Sequence, residues 1–166
     1  MTAVNNEIRK GIKIVPLIFA LIIPLLIGGL SSLLTSGNME AYNVMKAPPL
    51  APPGWLFPVV WTILYVLMGL ASYLVFVSDA EPDKKRKALM FYGAQLIMNL
   101  FWSTLFFTFG QYLIALIWLL VMWALIIVCV VRFYNIRKAA GLMMGGLFLW
   151  TTFAAYLNLA YLILSL

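Results

Sequence analysis

The sequence predicts an all-α membrane protein, a five-transmembrane-helix bundle, and three observations carry that prediction. The 166 residues are 65% hydrophobic and only 10% charged, with a mean hydropathy of +1.04, which excludes a water-soluble globular domain. Five apolar runs, each long enough to cross about 30 Å of hydrocarbon, alternate with short polar or proline-rich connectors. The basic residues sit between those runs, where they set topology rather than bind nucleic acid. No hydrophilic block is long enough to fold by itself, so residues 1–166 are expected to form a single domain.

Met1 to Lys13 is a polar lead carrying Arg9, Lys10 and Lys13. The first span, 14–34, contains Pro16 and Pro24, and Pro24 is expected to kink it near mid-membrane. A basic lead before an apolar run also marks signal peptides, and Gly28, Gly29, Ser31 and Ser32 are small enough for a cleavage region. The length of the run favours a retained first helix. The loop 35–53 holds Pro48, Pro49, Pro52 and Pro53, which lack backbone donors and fix φ, so it is expected to be irregular and semi-rigid.

The second span, 54–77, has no charge, and Pro58 falls in its first turn, where a missing N–H costs little. Its Phe57, Trp61, Tyr65 and Met68 share one face. That face reads either as the wall of a ligand pocket roofed by the proline loop or as an aromatic packing stripe. A polar connector, Ser78 to Lys87, leads to the third span, 88–110, and the uncharged turn Gly110-Gln111-Tyr112 leads to the fourth, 113–131. Arg132, Arg137 and Lys138 close the fourth span, and the fifth covers 139–165.

With five spans, the N-terminal lead and the second and fourth connectors share one side of the membrane, together with every Lys and Arg except Lys46. By the positive-inside rule the N-terminus is cytoplasmic, and the proline-rich loop and C-terminus are extracytoplasmic. The asymmetry fits a bacterial plasma membrane.

Chemistry is constrained by what is missing. The chain has no histidine, its five acids lie outside the spans, and no carboxylate cluster offers a metal site. Serines and threonines within spans have no base to activate them, and no ionisable group sits where a proton-coupled pump would need it. Cys129 lies inside an apolar run and has no partner for an intramolecular disulfide. What remains are neutral stripes: Gln95, Asn99 and Trp102 on the third span, and Trp150, Phe153, Ala154, Leu157 and Asn158 on the fifth. An amide in hydrocarbon needs a partner, so Asn99 and Asn158 must face inward, toward another helix or a ligand. Gly141 and Gly145 form a small-xxx-small pair for close helix packing, within one chain or between two.

Over nearly the whole chain these residues resemble the translocator proteins, also called tryptophan-rich sensory proteins or peripheral-type benzodiazepine receptors. The family's loop-to-helix pattern is matched by Tyr42, Met45, Pro48, Pro52, Pro53, Val60, Trp61, Leu64 and Tyr65, and its continuation by Met68, Gly69, Tyr73, Leu74 and Val75. The third-span pattern stands as Gln95, Leu96, Asn99, Trp102, Phe106 and Phe107. The fifth-span pattern stands as Ala140, Gly141, Met143, Met144, Trp150, Phe153, Ala154, Leu157 and Asn158. The chain departs from the family at Ala41 for a tryptophan, at Ala47 with the loop lysine displaced to Lys46, at Trp118 for an acid, and at Gly146-Leu147 for Pro-Tyr.

The resemblance implies a five-helix bundle, often a homodimer, that binds porphyrins such as protoporphyrin IX and benzodiazepine-type drugs in a central pocket under the first loop. The porphyrin would be a ligand, and no cofactor or metal is implied. Tyr42, Pro52, Phe57, Trp61 and Tyr65 would form one side of the pocket, and Asn99, Trp102, Trp150, Ala154 and Leu157 the other. Alternatives within the same resemblance are light-dependent porphyrin degradation, with Trp61 and Trp150 as the oxidisable catalytic indoles, and transport of tetrapyrroles or sterols. The family's sterol motif expects a base near the C-terminus, and here none follows Lys138.

Overall fold

The computed structural model describes residues 12–38 and 47–166. It contains five helices long and apolar enough to cross a membrane, and no strand occurs among the described residues. Helix α1 covers Ile14–Thr35 and ends in a 3-10 turn, Ser36–Asn38; α2 covers Leu56–Phe76. Helix α3 covers Pro82–Ser103 and runs into a π-helical turn, Thr104–Thr108; α4 covers Tyr112–Ile136 and α5 covers Lys138–Ser165. The helices pack as a closed ring in the order α1, α2, α5, α4, α3, with α3 returning to α1.

Two helix ends differ from the expected spans, for electrostatic reasons. Helix α3 starts at Pro82, inside the expected connector, because Pro82 suits a first helical turn and Asp83 pairs with Arg86 at 2.7 Å and Lys87 at 2.6 Å. Lys85 meanwhile donates to Ser78 O at 3.1 Å, just past the C-terminal end of α2. Helix α4 runs on to Ile136, and Arg132 lies 4.8 Å from the centre of the Phe91 ring, clamping α4 to α3. Gly110 takes φ +59° in the short turn from α3 to α4, a conformation glycine adopts without steric cost.

Helix α1 rests on α2 through a proline and a glycine. Pro24 has no N–H to give the carbonyl of Ala20, one turn back. Gly69 of α2 approaches that same carbonyl so closely that a Cβ there would lie 2.7 Å from the oxygen and 3.0 Å from Leu21 Cα. Nearer the loop, Gly28 lies against the ring of Tyr65, which a Cβ would overlap. Gly141 is also a close approach, and it lies within the chain: a Cβ there would collide with the backbone of Tyr134 where α4 folds back onto α5. Gly145 has open space beside it.

The described end of the loop is a tight turn. Ala51 N–H donates to Pro48 O at 3.1 Å, and Leu50 carries φ +64°, a position that suits glycine. Tyr156 of α5 donates its hydroxyl to Pro49 O at 2.8 Å and ties this turn to the bundle. Leu50→Gly is therefore expected to stabilise the protein by about 1 kcal/mol, the order of the left-handed penalty it relieves, measurable as a raised thermal midpoint in detergent.

Candidate functional site

The inward face of α2 came out as the alternation of aromatics implies. Phe57, Tyr65 and Met68 are buried and Trp61 is half-buried, so one stripe of α2 points into the ring. In the half of the bundle nearer the loop this stripe faces a cavity of about 420 Å³. From α2 it is lined by Phe57, Pro58, Trp61, Thr62 and Tyr65. From α1 come Leu25, Gly28, Gly29, Ser31, Ser32 and Thr35, with Ser36 just beyond, and from the end of α3 come Ser103 and Phe107.

Among the described residues, no charged side chain lines this space. Its flat faces are the aromatic rings, and its polar groups are hydroxyls. Phe57 meets Phe107 edge-on at 5.5 Å, and Trp61 lies 5.6 Å from Tyr65 and 6.2 Å from Trp102. The π turn at Thr104–Thr108 starts directly after Ser103. A wider helical turn there lets successive side chains take different directions, with Phe106 buried in the core and Phe107 on the cavity.

The other expected site residues lie on the far side of Phe57. Trp102, Ala154 and Leu157, together with Phe57, Phe106 and Tyr161, surround a void of about 10 Å³, roughly the size that admits a single water. Phe57 thus stands between an open cavity toward α1 and a nearly closed one toward α5. Trp150 packs edge-on against Phe57 at 5.9 Å, and its buried indole N–H has no hydrogen-bond partner among the described residues. Pro52 is half-buried in the loop, and no residue of its described part from 47 onward lines the larger cavity until the chain reaches Phe57. Tyr42 lies outside the described residues.

The two buried asparagines have opposite circumstances. Asn158 accepts from Trp102 Nε1 at 3.4 Å and donates to Tyr112 O at 2.8 Å, so it is an interhelical lock among α3, α4 and α5. Asn99 is fully buried and lines neither cavity, and among the described residues neither its Oδ1 nor its Nδ2 has a partner. It sits one helical turn from Ser103, which lines the cavity. Trp118 donates its N–H to Met98 O at 2.8 Å and fastens α4 to α3.

The α1 residues were absent from the expected site. Gly28, Gly29, Ser31 and Ser32 stood out in the sequence only as a possible cleavage region. The signal that could have placed them here is that small polar residues at bilayer depth need a packing or ligand role.

A ring of five helices long and apolar enough to cross a membrane, around a cavity whose described lining is aromatic faces, small residues and hydroxyls, defines an integral membrane protein with an internal cavity. The TspO/MBR family profile matches residues 20–164, and the chain belongs to that family. It is 33% identical over 124 residues to the tryptophan-rich protein TspO of Chlorobaculum tepidum, covering 75% of this chain and 78% of that protein. It is 35% identical over 119 residues to the tryptophan-rich sensory protein of Cereibacter sphaeroides, covering 72% and 73%. Similarity extends to the translocator protein of Bos taurus, at 29% identity over 146 residues, covering 87% and 86%.

Proposed function

We propose that this protein binds and senses porphyrins of the protoporphyrin IX type, and related flat apolar molecules, within the bundle. The observation that carries this reading is the cavity of about 420 Å³ walled by Phe57, Trp61, Tyr65 and Phe107, which falls in the size range of small-molecule sites. Aromatic faces stack on a planar macrocycle, and the absence of charge among the described lining residues suits a ligand that partitions into lipid. Trp102, Ala154 and Leu157, with Trp150 behind Phe57, would form the second side once Phe57 moves aside, and Pro52 and Tyr42 are the loop's proposed contributions. The ligand is held from a cytoplasmic-N-terminus, extracytoplasmic-loop orientation in a bacterial plasma membrane, by a protein that works as a homodimer.

Asn99 supports this reading because it makes poor structural sense otherwise. A buried amide with no partner costs about 1–3 kcal/mol, and a ligand that accepts or donates there would offset the loss. Asn99→Leu is expected to raise the thermal midpoint of the ligand-free protein while weakening porphyrin binding. A fall in both, or a rise in both, would remove Asn99 from the site.

The direct test is quenching of tryptophan fluorescence by protoporphyrin IX in detergent or nanodiscs. Saturable quenching is expected, and Trp61→Ala should weaken affinity by about 1–2 kcal/mol, the loss of one stacking face. Non-saturable quenching, or affinity indifferent to Trp61, would sink the assignment.

A further inference from the structure

Resting on the reading that the cavity holds a planar ligand, we propose that this ligand enters sideways from the bilayer, between α1 and α2, and that hydroxyls of α1 and α3 orient its polar end. The class of ligand implied is a flat amphipathic molecule dissolved in the leaflet on the loop side, with hydrogen-bond acceptors such as carboxyl or carbonyl oxygens at one edge.

The first observation is where the cavity opens. Its rim on α1 is the stripe of Leu25, Gly29 and Ser32, and its rim on α2 is Pro58 and Thr62; all five are exposed on the flank of the bundle. The helices touch at Gly69 and Gly28 and are separated by the cavity in the half nearer the loop. On its other side α1 is tied down. Thr108 donates to Leu34 O at 3.0 Å, and Asn38 donates to Thr108 Oγ1 at 3.4 Å, holding the end of α1 to α3. The seam between α1 and α2 has no comparable hydrogen bond in this half among the described residues.

The second observation is the state of the hydroxyls. Thr35 and Thr62 donate their protons to carbonyls of their own helices, at 2.9 Å and 2.7 Å. Ser31 and Ser103 are more than nine-tenths buried, line the cavity, and donate to no group among the described residues. Neither serine oxygen is among the sealed polar atoms that lack a partner, so both hydroxyls reach the cavity space itself, where they can donate to a ligand that brings acceptors. They lie on the same cavity as the rings of Trp61 and Phe107, so stacking and hydrogen bonding act on different parts of one molecule.

The test uses the full chain in nanodiscs and stopped-flow tryptophan quenching with two probes: protoporphyrin IX, which carries carboxyl groups, and octaethylporphyrin, which carries none. Gly29→Phe combined with Thr62→Phe narrows the mouth; a Cβ at Gly29 meets open space, so the fold tolerates it. This variant should slow association of both probes at least tenfold, and an unchanged association rate would overturn lateral entry. Ser31→Ala and Ser103→Ala should each weaken protoporphyrin IX about fivefold, the scale of one hydrogen bond, and leave octaethylporphyrin unaffected. Equal effects on the two probes, or none on either, would overturn the anchoring role. Wild-type protein that binds neither probe would overturn the porphyrin reading itself, a result distinct from either of these.

Discussion

Gly69→Val is expected to unseat α1 from α2 and to produce the largest loss of stability among single substitutions in this bundle, about 3 kcal/mol. The added Cβ would lie 2.7 Å from the Ala20 carbonyl oxygen and 3.0 Å from Leu21 Cα, and both are backbone atoms with nowhere to retreat. Pro24 makes the position more sensitive still, because it leaves that carbonyl without its helical donor and the α2 backbone covers it instead. Thermal unfolding in detergent micelles should show a large drop in midpoint. Porphyrin quenching should fall with it even though Gly69 is outside the cavity, since α1 supplies one wall. Gly145→Val, where a Cβ meets open space, is the control and should behave like the wild type. Equal midpoints for the two variants would show that α1 is not held by this contact.

Asn158→Leu is expected to cost about 2 kcal/mol, the second-largest effect. It removes the 2.8 Å bond to Tyr112 O and strands the indole N–H of Trp102, which is almost wholly buried. In a bilayer such bonds are worth less than in a dry interior, because helices separated in the membrane find other partners, which bounds the estimate from above. The measurement is again the thermal midpoint, paired with Asn99→Leu, which should move the opposite way. Two asparagines of similar burial, on α3 and α5, then separate by role: one locks helices together, the other leaves its amide without a partner among the described residues. Shifts of the same sign would erase that distinction.

The helix count, the family and the inward stripe of α2 were legible in the sequence because each rests on local pattern. A charge-free run of the right length can only be a span, and Phe57, Trp61, Tyr65 and Met68 recur at the helical period. Helix ends were less legible. The basic half of the second connector reads as a polar link, but Asp83, Arg86 and Lys87 pair across one helical turn and carry α3 out into water. That Asn99 and Asn158 face inward was legible; which one ties helices and which stands idle was not, since the two readings differ only in what stands opposite each amide.

By itself, then, the sequence determined that this is a five-helix membrane protein, which side of α2 faces inward, and that its interior carries no charge. These follow from hydropathy, periodicity and residue type, which are properties of each segment alone. Only the tertiary structure decided that the larger cavity lies against α1 rather than α5, that Phe57 divides it from a nearly closed void, and that Ser31 and Ser103 face it with hydroxyls that donate to no other described residue. Empty space belongs to no segment. It arises where helices fixed by contacts elsewhere, Gly69 on Ala20 and Thr108 on Leu34, fail to meet, and no pattern along one helix records the gap.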